Sequence, residues 1–211
     1  MMIIKFAAVA VISYLLGCCN GAILVSKYLL HDDVRKHGSG NAGLTNFYRV
    51  FGGASTFLVI LIDMLKAVLA VMIGAYVINS AVTLGIPMFG KLWAAVFVML
   101  GHDFPFMFGF RGGKGVLSGG AMTLALDWRV ALICWGFFLL LFLLTRYVSA
   151  GSIAAGASFI IALGFFYPYW PDIIAGTFCA VLLIWGHRSN ISRLIHGTEN
   201  KFTFHKKETK L

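Results

Sequence analysis

Charge is what this chain has least of. Only 12% of its 211 residues are charged and 60% are hydrophobic, with a mean hydropathy of +0.88. A soluble domain of this length carries more charge, so the composition points to an α-helical integral membrane protein, one domain over residues 1–211. Strict apolar–polar alternation is also missing. The apolar runs are continuous, which argues against a β-barrel. Acidic residues are scarcer than basic ones, 8 against 17, for a net charge of +9. The basic residues sit beside apolar runs, so membrane lipids and phosphorylated substrates fit as partners better than nucleic acid. Cysteine is sparse too: Cys18, Cys19, Cys134 and Cys179 all lie in apolar runs without a CxxC pair. No disulfide framework, metal site or cofactor is implied.

What is present is a series of seven apolar spans, at about residues 3–30, 54–79, 92–101, 116–126, 130–145, 148–167 and 173–186. The first opens like a signal peptide, but its single lysine, the large Leu16 and the later spans argue against cleavage. The third and fourth spans are short. Eleven residues at 1.5 Å each rise ~17 Å, against a hydrocarbon core of ~30 Å. The glycine-rich loop between them, residues 101–115, is therefore expected to dip into the membrane, where irregular backbone needs protein or water around it. Lys27, Arg35, Lys36, Arg49, Arg111, Lys114, Arg146 and the cations of the tail from about residue 187 fall on one side. Lys5, Lys91 and Arg129 fall on the other. The excess of Lys and Arg places the N-terminus outside and the C-terminus in the cytoplasm.

Three polar, glycine-rich loops then share the cytoplasmic side: residues 38–53, 101–115 and 186–200. They supply Arg49, Arg111, Lys114, Arg188 and Arg193, with Ser39, Asn41, Thr45, Asn46, His102, His187 and Asn190. Cations and neutral donors with few carboxylates make an oxyanion site and do not favour a divalent metal. Gly112-Gly113-Lys114-Gly115 reads as a phosphate cradle or as a plain turn with a snorkelling lysine. His102 and His187 are acid–base candidates or helix-end caps. Arg188 and Arg193 bind substrate or sit at the lipid surface. Ser149 and Ser152 serve a site or close helix packing. Asp63 and Lys66, at i,i+3, neutralise each other or extend the positive site, because a charge at mid-bilayer costs about 2.5–3.5 kcal/mol.

The three loops together resemble those of the bacterial acyl-phosphate:glycerol-3-phosphate acyltransferase family. The likeness runs through Gly38-Ser39-Gly40-Asn41-Ala42-Gly43-Leu44-Thr45-Asn46 and Arg49. It continues through Gly101-His102, Phe104-Pro105 and Gly112-Gly113-Lys114-Gly115. It ends with His187-Arg188, Asn190-Ile191, Arg193 and Gly197 with Glu199. Leu44 departs from it, since the family usually has alanine there. The resemblance implies acyl transfer from a long-chain acyl phosphate to the sn-1 hydroxyl of glycerol 3-phosphate, giving lysophosphatidic acid and inorganic phosphate. It implies a multi-pass enzyme of the bacterial inner membrane with its site facing the cytoplasm, and a monomer is expected. It also implies that Ser39, Arg49, Lys114, Ser152, His187 and Asn190 line the substrate site, supported by Arg188 and Arg193. Lys114, His187, Asn190 and Ser152 are the catalytic candidates. Ser39, Asn41, Thr45, Asn46, Arg49, Lys66, His102, Gly112, Gly113, Gly115, Arg188 and Arg193 are the binding candidates. No histidine is followed five residues on by Asp, so the His-x-x-x-x-Asp pattern of thioester-dependent glycerolipid acyltransferases is absent. An organic-phosphate transporter is the competing class, but the two related halves expected of one are missing. A lipid phosphatase would need a nucleophile or metal set that the chain does not offer.

Overall fold

The computed structural model describes residues 2–79 and 88–203, and its regular elements among them are all helical. Ten helices follow one another: α1 Met2–Cys18, α2 Gly21–Leu24, α3 Leu44–Phe51, α4 Ser55–Gly74, α5 Phe89–Asp103, α6 Val116–Leu126, α7 Trp128–Thr145, α8 Val148–Phe166, α9 Trp170–Gly186 and α10 Arg188–Ile195. Most of the expected outer loop at residues 80–91 and the tail cations Lys206, Lys207 and Lys210 lie outside the described residues.

Each expected apolar span coincides with helix, but their lengths differ. Ser55–Ile78, Trp128–Thr145 and Val148–Phe166 are long and apolar enough to cross a membrane. Two bent pairs raise that number to five: Met2–Cys18 with Gly21–Leu29, bent by 43°, and Trp170–Gly186 with Arg188–Ile195, bent by 55°. The 15 residues of α5 and 11 of α6 are shorter.

The first span breaks for a chemical reason. Asn20 ends α1 in extended backbone, and its side-chain oxygen accepts from Ile23 N at 3.1 Å to start α2. The third span begins earlier than its charge suggested, because Lys91 reaches the carbonyls of Ala125 and Leu126 (3.1 and 2.9 Å) and caps the end of α6. At that same end Asp127 caps α7 through Arg129 N at 2.7 Å. Pro171 sits in the first turn of α9, where its missing N–H is no loss.

The main core lies between α4, α5, α6, α8 and α9 and contains Val71, Leu92, Met99, Met122, Phe159, Leu163 and Leu183. A second cluster of Ile23, Val34, Phe47, Val59 and Phe108 packs the first two loops against α2 and α4. Outward positions stay apolar. Leu61, Leu65 and Leu69 on α4 and Leu139, Leu140, Leu143 and Leu144 on α7 are exposed, as expected where lipid replaces water. Helices α1 and α5 approach closely through Gly17 and Gly101. A Cβ on Gly101 would stand 2.9 Å from Cys18 N and from Gly17 Cα, the small-residue contact used where lipid supplies no hydrophobic drive.

Candidate functional site

The first loop is built around Asn46. Its amide donates to the carbonyls of Val34, His37 and Asn41 at 3.1–3.2 Å, and its oxygen accepts from Ser39 N at 2.9 Å. Asn46 therefore shapes the loop, and its polar atoms are all engaged. The loop is tied to the central one: Ala42 N donates to Gly112 O at 3.4 Å, while Asn20 Nδ2 holds Ala42 O at 3.1 Å. Arg35 adds a second tie, donating to Phe108 O (2.7 Å) and Arg111 O (3.1 Å). Its hydrogen bonds to Asp33 hold that carboxyl down at about 2.

The central loop corrects one expectation. Gly112 N donates to Asp103 O at 3.0 Å and Gly113 N to His102 O at 3.1 Å. Both N–H groups are occupied by carbonyls at the end of α5 and do not point at a ligand. These glycines matter for clearance: a Cβ on Gly113 would collide with His102 Nε2 and stand 2.8 Å from Ala42 O. Gly115, at φ +67°, turns the chain into α6. The N–H groups of the first turn of α6, beside Lys114, have no intrahelical acceptor.

Lys66 is a second correction. It does not line the cavity that the loops enclose. Its ammonium, 3% exposed, pairs with Asp63 at 2.7 Å and meets Gly17 O, Cys19 O and His102 Nδ1 at 3.2, 3.0 and 2.7 Å. Asp63 Oδ1 also accepts from Gly21 N at 3.0 Å. This buried cluster stitches the α1–α2 break to α4 and α5, leaving Lys66 no donor for a substrate. His102 belongs to the same cluster through Nδ1, while its ring forms part of the cavity wall.

The third loop converges on Glu199. Its Oε1 accepts from Asn190 Nδ2 (2.7 Å) and Ser149 Oγ (2.8 Å), and its Oε2 from Arg193 Nε (2.7 Å). Asn190 in turn accepts from Lys114 Nζ, which joins the second and third loops. Burial is opposed by these three hydrogen bonds, and they win, holding the Glu199 carboxyl below its ordinary value. Burial pulls the Lys114 ammonium down to about 8; Arg193 and Arg188 act in the same direction, against Glu199 and Asp103. His187 Nδ1 lies 2.8 Å from Leu183 O. A carbonyl can only accept, so Nδ1 carries the proton, and the neutral ring presents Nε2 as an acceptor. Arg188 lies over the Trp185 ring at 4.1 Å.

These parts enclose one cavity of about 930 Å³. Ser39, Asn41, Thr45, Asn46, Arg49, His102, Gly112, Gly113, Lys114, Gly115, Ser152, His187, Arg188, Asn190 and Arg193 all line it, as do Arg111 and Leu44. The first turns of α3, α6, α8 and α10 open into it through Leu44, Val116, Ser149 and Ser189. Helix N-termini carry partial positive charge and unpaired N–H groups, so backbone as well as side chains adds positive potential at this end of the cavity. From there an apolar arm runs past Gly119, Met122, Cys134, Phe159, Cys179 and Leu183. Ser152 is buried, with its hydroxyl proton donated to Val148 O at 2.8 Å. Among the described residues no group of three histidine, cysteine or carboxylate side chains is arranged to hold a metal ion.

Glu199 closes the motif likeness but is not among the sequence's site candidates, nor are Asp103 in the cavity wall and Asn20 behind the first loop. Glu199 had a usable signal, as a carboxylate in a strongly cationic tail. Asn20 had a weaker one, a polar residue inside a long apolar run.

A family model for glycerol-3-phosphate acyltransferase matches residues 7–197. The glycerol-3-phosphate acyltransferase of Thermoanaerobacter pseudethanolicus is 38% identical over 192 residues, covering 91% of this chain and 93% of that protein. That of Clostridioides difficile is 38% identical over 206 residues, covering 95% and 97%. The fold is similar to two crystal structures of PlsY, an integral membrane glycerol 3-phosphate acyltransferase. Its glycerol 3-phosphate form superposes with a TM-score of 0.84 at 33% identity, covering 94% of this chain and 96% of that one. Its lysophosphatidic acid form gives 0.81 at 32%, with the same coverage.

Proposed function

Since this chain belongs to the glycerol-3-phosphate acyltransferase family, we propose that it acylates the 1-hydroxyl of glycerol 3-phosphate from a long-chain acyl phosphate. The products are 1-acyl-glycerol 3-phosphate and inorganic phosphate. The observation that carries this reading is the two-part cavity, a cationic mouth joined to an apolar arm. Both substrates bring a phosphate for the first, and one brings an alkyl chain for the second.

Acyl phosphate is already activated, so the protein's work is positioning and charge stabilisation. Lys114 and the first turn of α6 hold the leaving phosphate. Arg49 and Ser39, with Arg111 nearby, hold the phosphate of the acceptor. The 1-oxygen attacks the acyl carbon, the C–O bond to phosphate breaks, and phosphate leaves. The hydroxyl proton passes to His187 Nε2, the ring atom free to accept it, and from there to the departing phosphate. Asn190 keeps Lys114 aimed, and Glu199 keeps Asn190 and Arg193 in place. Ser152, its hydroxyl proton engaged by Val148 O, packs into the cavity wall beside the acceptor.

Seven membrane crossings fit the ten helices if α5 and α6 cross with the bent pairs. The one-sided distribution of Lys and Arg supports an outer N-terminus and a cytoplasmic site, in a bacterial inner membrane. The cavity is complete within one chain, which supports a functional monomer.

The test is purified protein in detergent, given palmitoyl phosphate with and without glycerol 3-phosphate. Lysophosphatidic acid and an equal amount of phosphate are expected only when both are present. Flux of glycerol 3-phosphate into liposomes with no acylated product would instead identify a transporter.

A further inference from the structure

Hydroxyl groups raise a problem that phosphates do not. The cavity is rich in donors, but glycerol 3-phosphate also brings two donors of its own, and each needs an acceptor once water is excluded. Most acceptors in the wall are taken. Asn46 Oδ1 receives Ser39 N, Asn190 Oδ1 receives Lys114, and Glu199 receives Ser149, Asn190 and Arg193. Asp63 Oδ1 receives Gly21 N and Lys66. His187 Nε2 is committed to the proton of the 1-hydroxyl. The 2-hydroxyl is left.

One carboxylate in the wall is not engaged. Asp103, the last residue of α5, lines the cavity and is only 6% exposed. Its Oδ1 has no hydrogen-bond partner among the described residues. Its place is informative as well. A Cβ built on Gly115 would stand 3.4 Å from Asp103 Oδ1 and 3.1 Å from Met99 Cε. The carboxyl therefore lies against the turn that opens α6, with Lys114 on one side and the apolar wall on the other. An acyl phosphate gripped at Lys114, with its chain in the arm, must put its carbonyl carbon at that boundary, so the acceptor's carbon chain must reach it too.

We propose that Asp103 is a substrate-positioning residue that accepts a hydrogen bond from the 2-hydroxyl of glycerol 3-phosphate, so that the site prefers a glycerol backbone to a plain hydroxyalkyl phosphate. This rests on the acyltransferase reading and deepens it. An unpartnered carboxyl oxygen suits a bare hydroxyl donor, because it keeps a lone pair to accept with whether or not the group is ionised. A site built to bind a hydroxyl rejects the analogue without it, because the site's own polar group is then left unpaired.

The experiment compares glycerol 3-phosphate with 3-hydroxypropyl phosphate, which keeps the nucleophile and the phosphate but lacks the 2-hydroxyl. With palmitoyl phosphate fixed, kcat/KM is measured for the full-length wild type, Asp103→Asn and Asp103→Ala. The wild type should prefer glycerol 3-phosphate by about 10- to 100-fold. Asp103→Ala should lose most of that preference, its kcat/KM falling much further for glycerol 3-phosphate than for 3-hydroxypropyl phosphate. Asp103→Asn, which keeps an acceptor oxygen, should fall between. Equal losses on both acceptors would mean that Asp103 only supports the fold or balances Lys114, and would overturn the proposal. A wild type with no preference overturns it without any variant, so a poorly folding alanine variant does not shelter it. A wild type that acylates neither acceptor fails at the acyltransferase reading itself, an outcome distinct from the other two.

Discussion

Lys114 sits where burial and two arginines work against its charge, and where a phosphate would restore it. With its ammonium pulled down to about 8, the free protein holds the charge below that pH and loses it above. An activity that needs the ammonium should therefore fall as pH rises: kcat/KM for glycerol 3-phosphate is expected to turn down near pH 8. A profile flat to about pH 10, the ordinary lysine range, would remove Lys114 from phosphate binding. Glu199 is tested through the fold as well as the rate. It anchors Asn190, Ser149 and Arg193, and hydrogen bonds to a charged group contribute about 1.5–3 kcal/mol each before solvent screening of the half-exposed arginine. Glu199→Ala should lower Tm and turnover together, and Glu199→Gln should recover part of both. Loss of turnover at unchanged Tm would point to a direct chemical role instead.

At the scale of elements, the closest helix approach makes the sharpest prediction. A Cβ on Gly101 would press on the backbone of Tyr14, Gly17 and Cys18, and backbone cannot turn aside as a side chain can. Gly101→Ala should lower Tm by several degrees, equivalent to about 1–3 kcal/mol for overpacking. Gly164→Ala, with nothing within 4 Å of the added Cβ, is the control and should leave Tm in place. Helix positions are legible in the sequence because apolar runs and polar loops alternate so plainly. The break at Asn20 is not, since a single polar residue barely interrupts an apolar run and its partners Ile23 and Ala42 become visible only in three dimensions. Lys66 misleads for a related reason. Its spacing from Asp63 announces a pair, but the carbonyls of Gly17 and Cys19 that use up its remaining donors come from the first span. Gly112 and Gly113 look in sequence like a phosphate cradle. Only the reversal of the chain over His102 and Asp103 shows that their N–H groups are occupied. The cationic inventory of the three loops is legible as residue types, because many donors with hardly a carboxylate leave few other uses.

For the whole molecule, the proposed orientation rests on charge asymmetry across the bundle and can be read by thiol labelling. Cys18, Cys134 and Cys179 are buried, so replacing Cys19 by serine leaves a quiet background. A membrane-impermeant maleimide should label Trp170→Cys in intact spheroplasts and Thr198→Cys only after permeabilisation, since Trp170 is exposed and Thr198 lies beside the cavity loops. The reverse pattern would turn the protein over and put the cavity on the wrong side for glycerol 3-phosphate. The central claim is that distant loops build a single cationic pocket in which a partly buried lysine bears the leaving phosphate's charge. Single-turnover acyl transfer by Lys114→Ala, in protein whose Tm matches the wild type, tests it most directly. The account predicts a rate lower by about 10²–10³; a rate within a few-fold of wild type would contradict it.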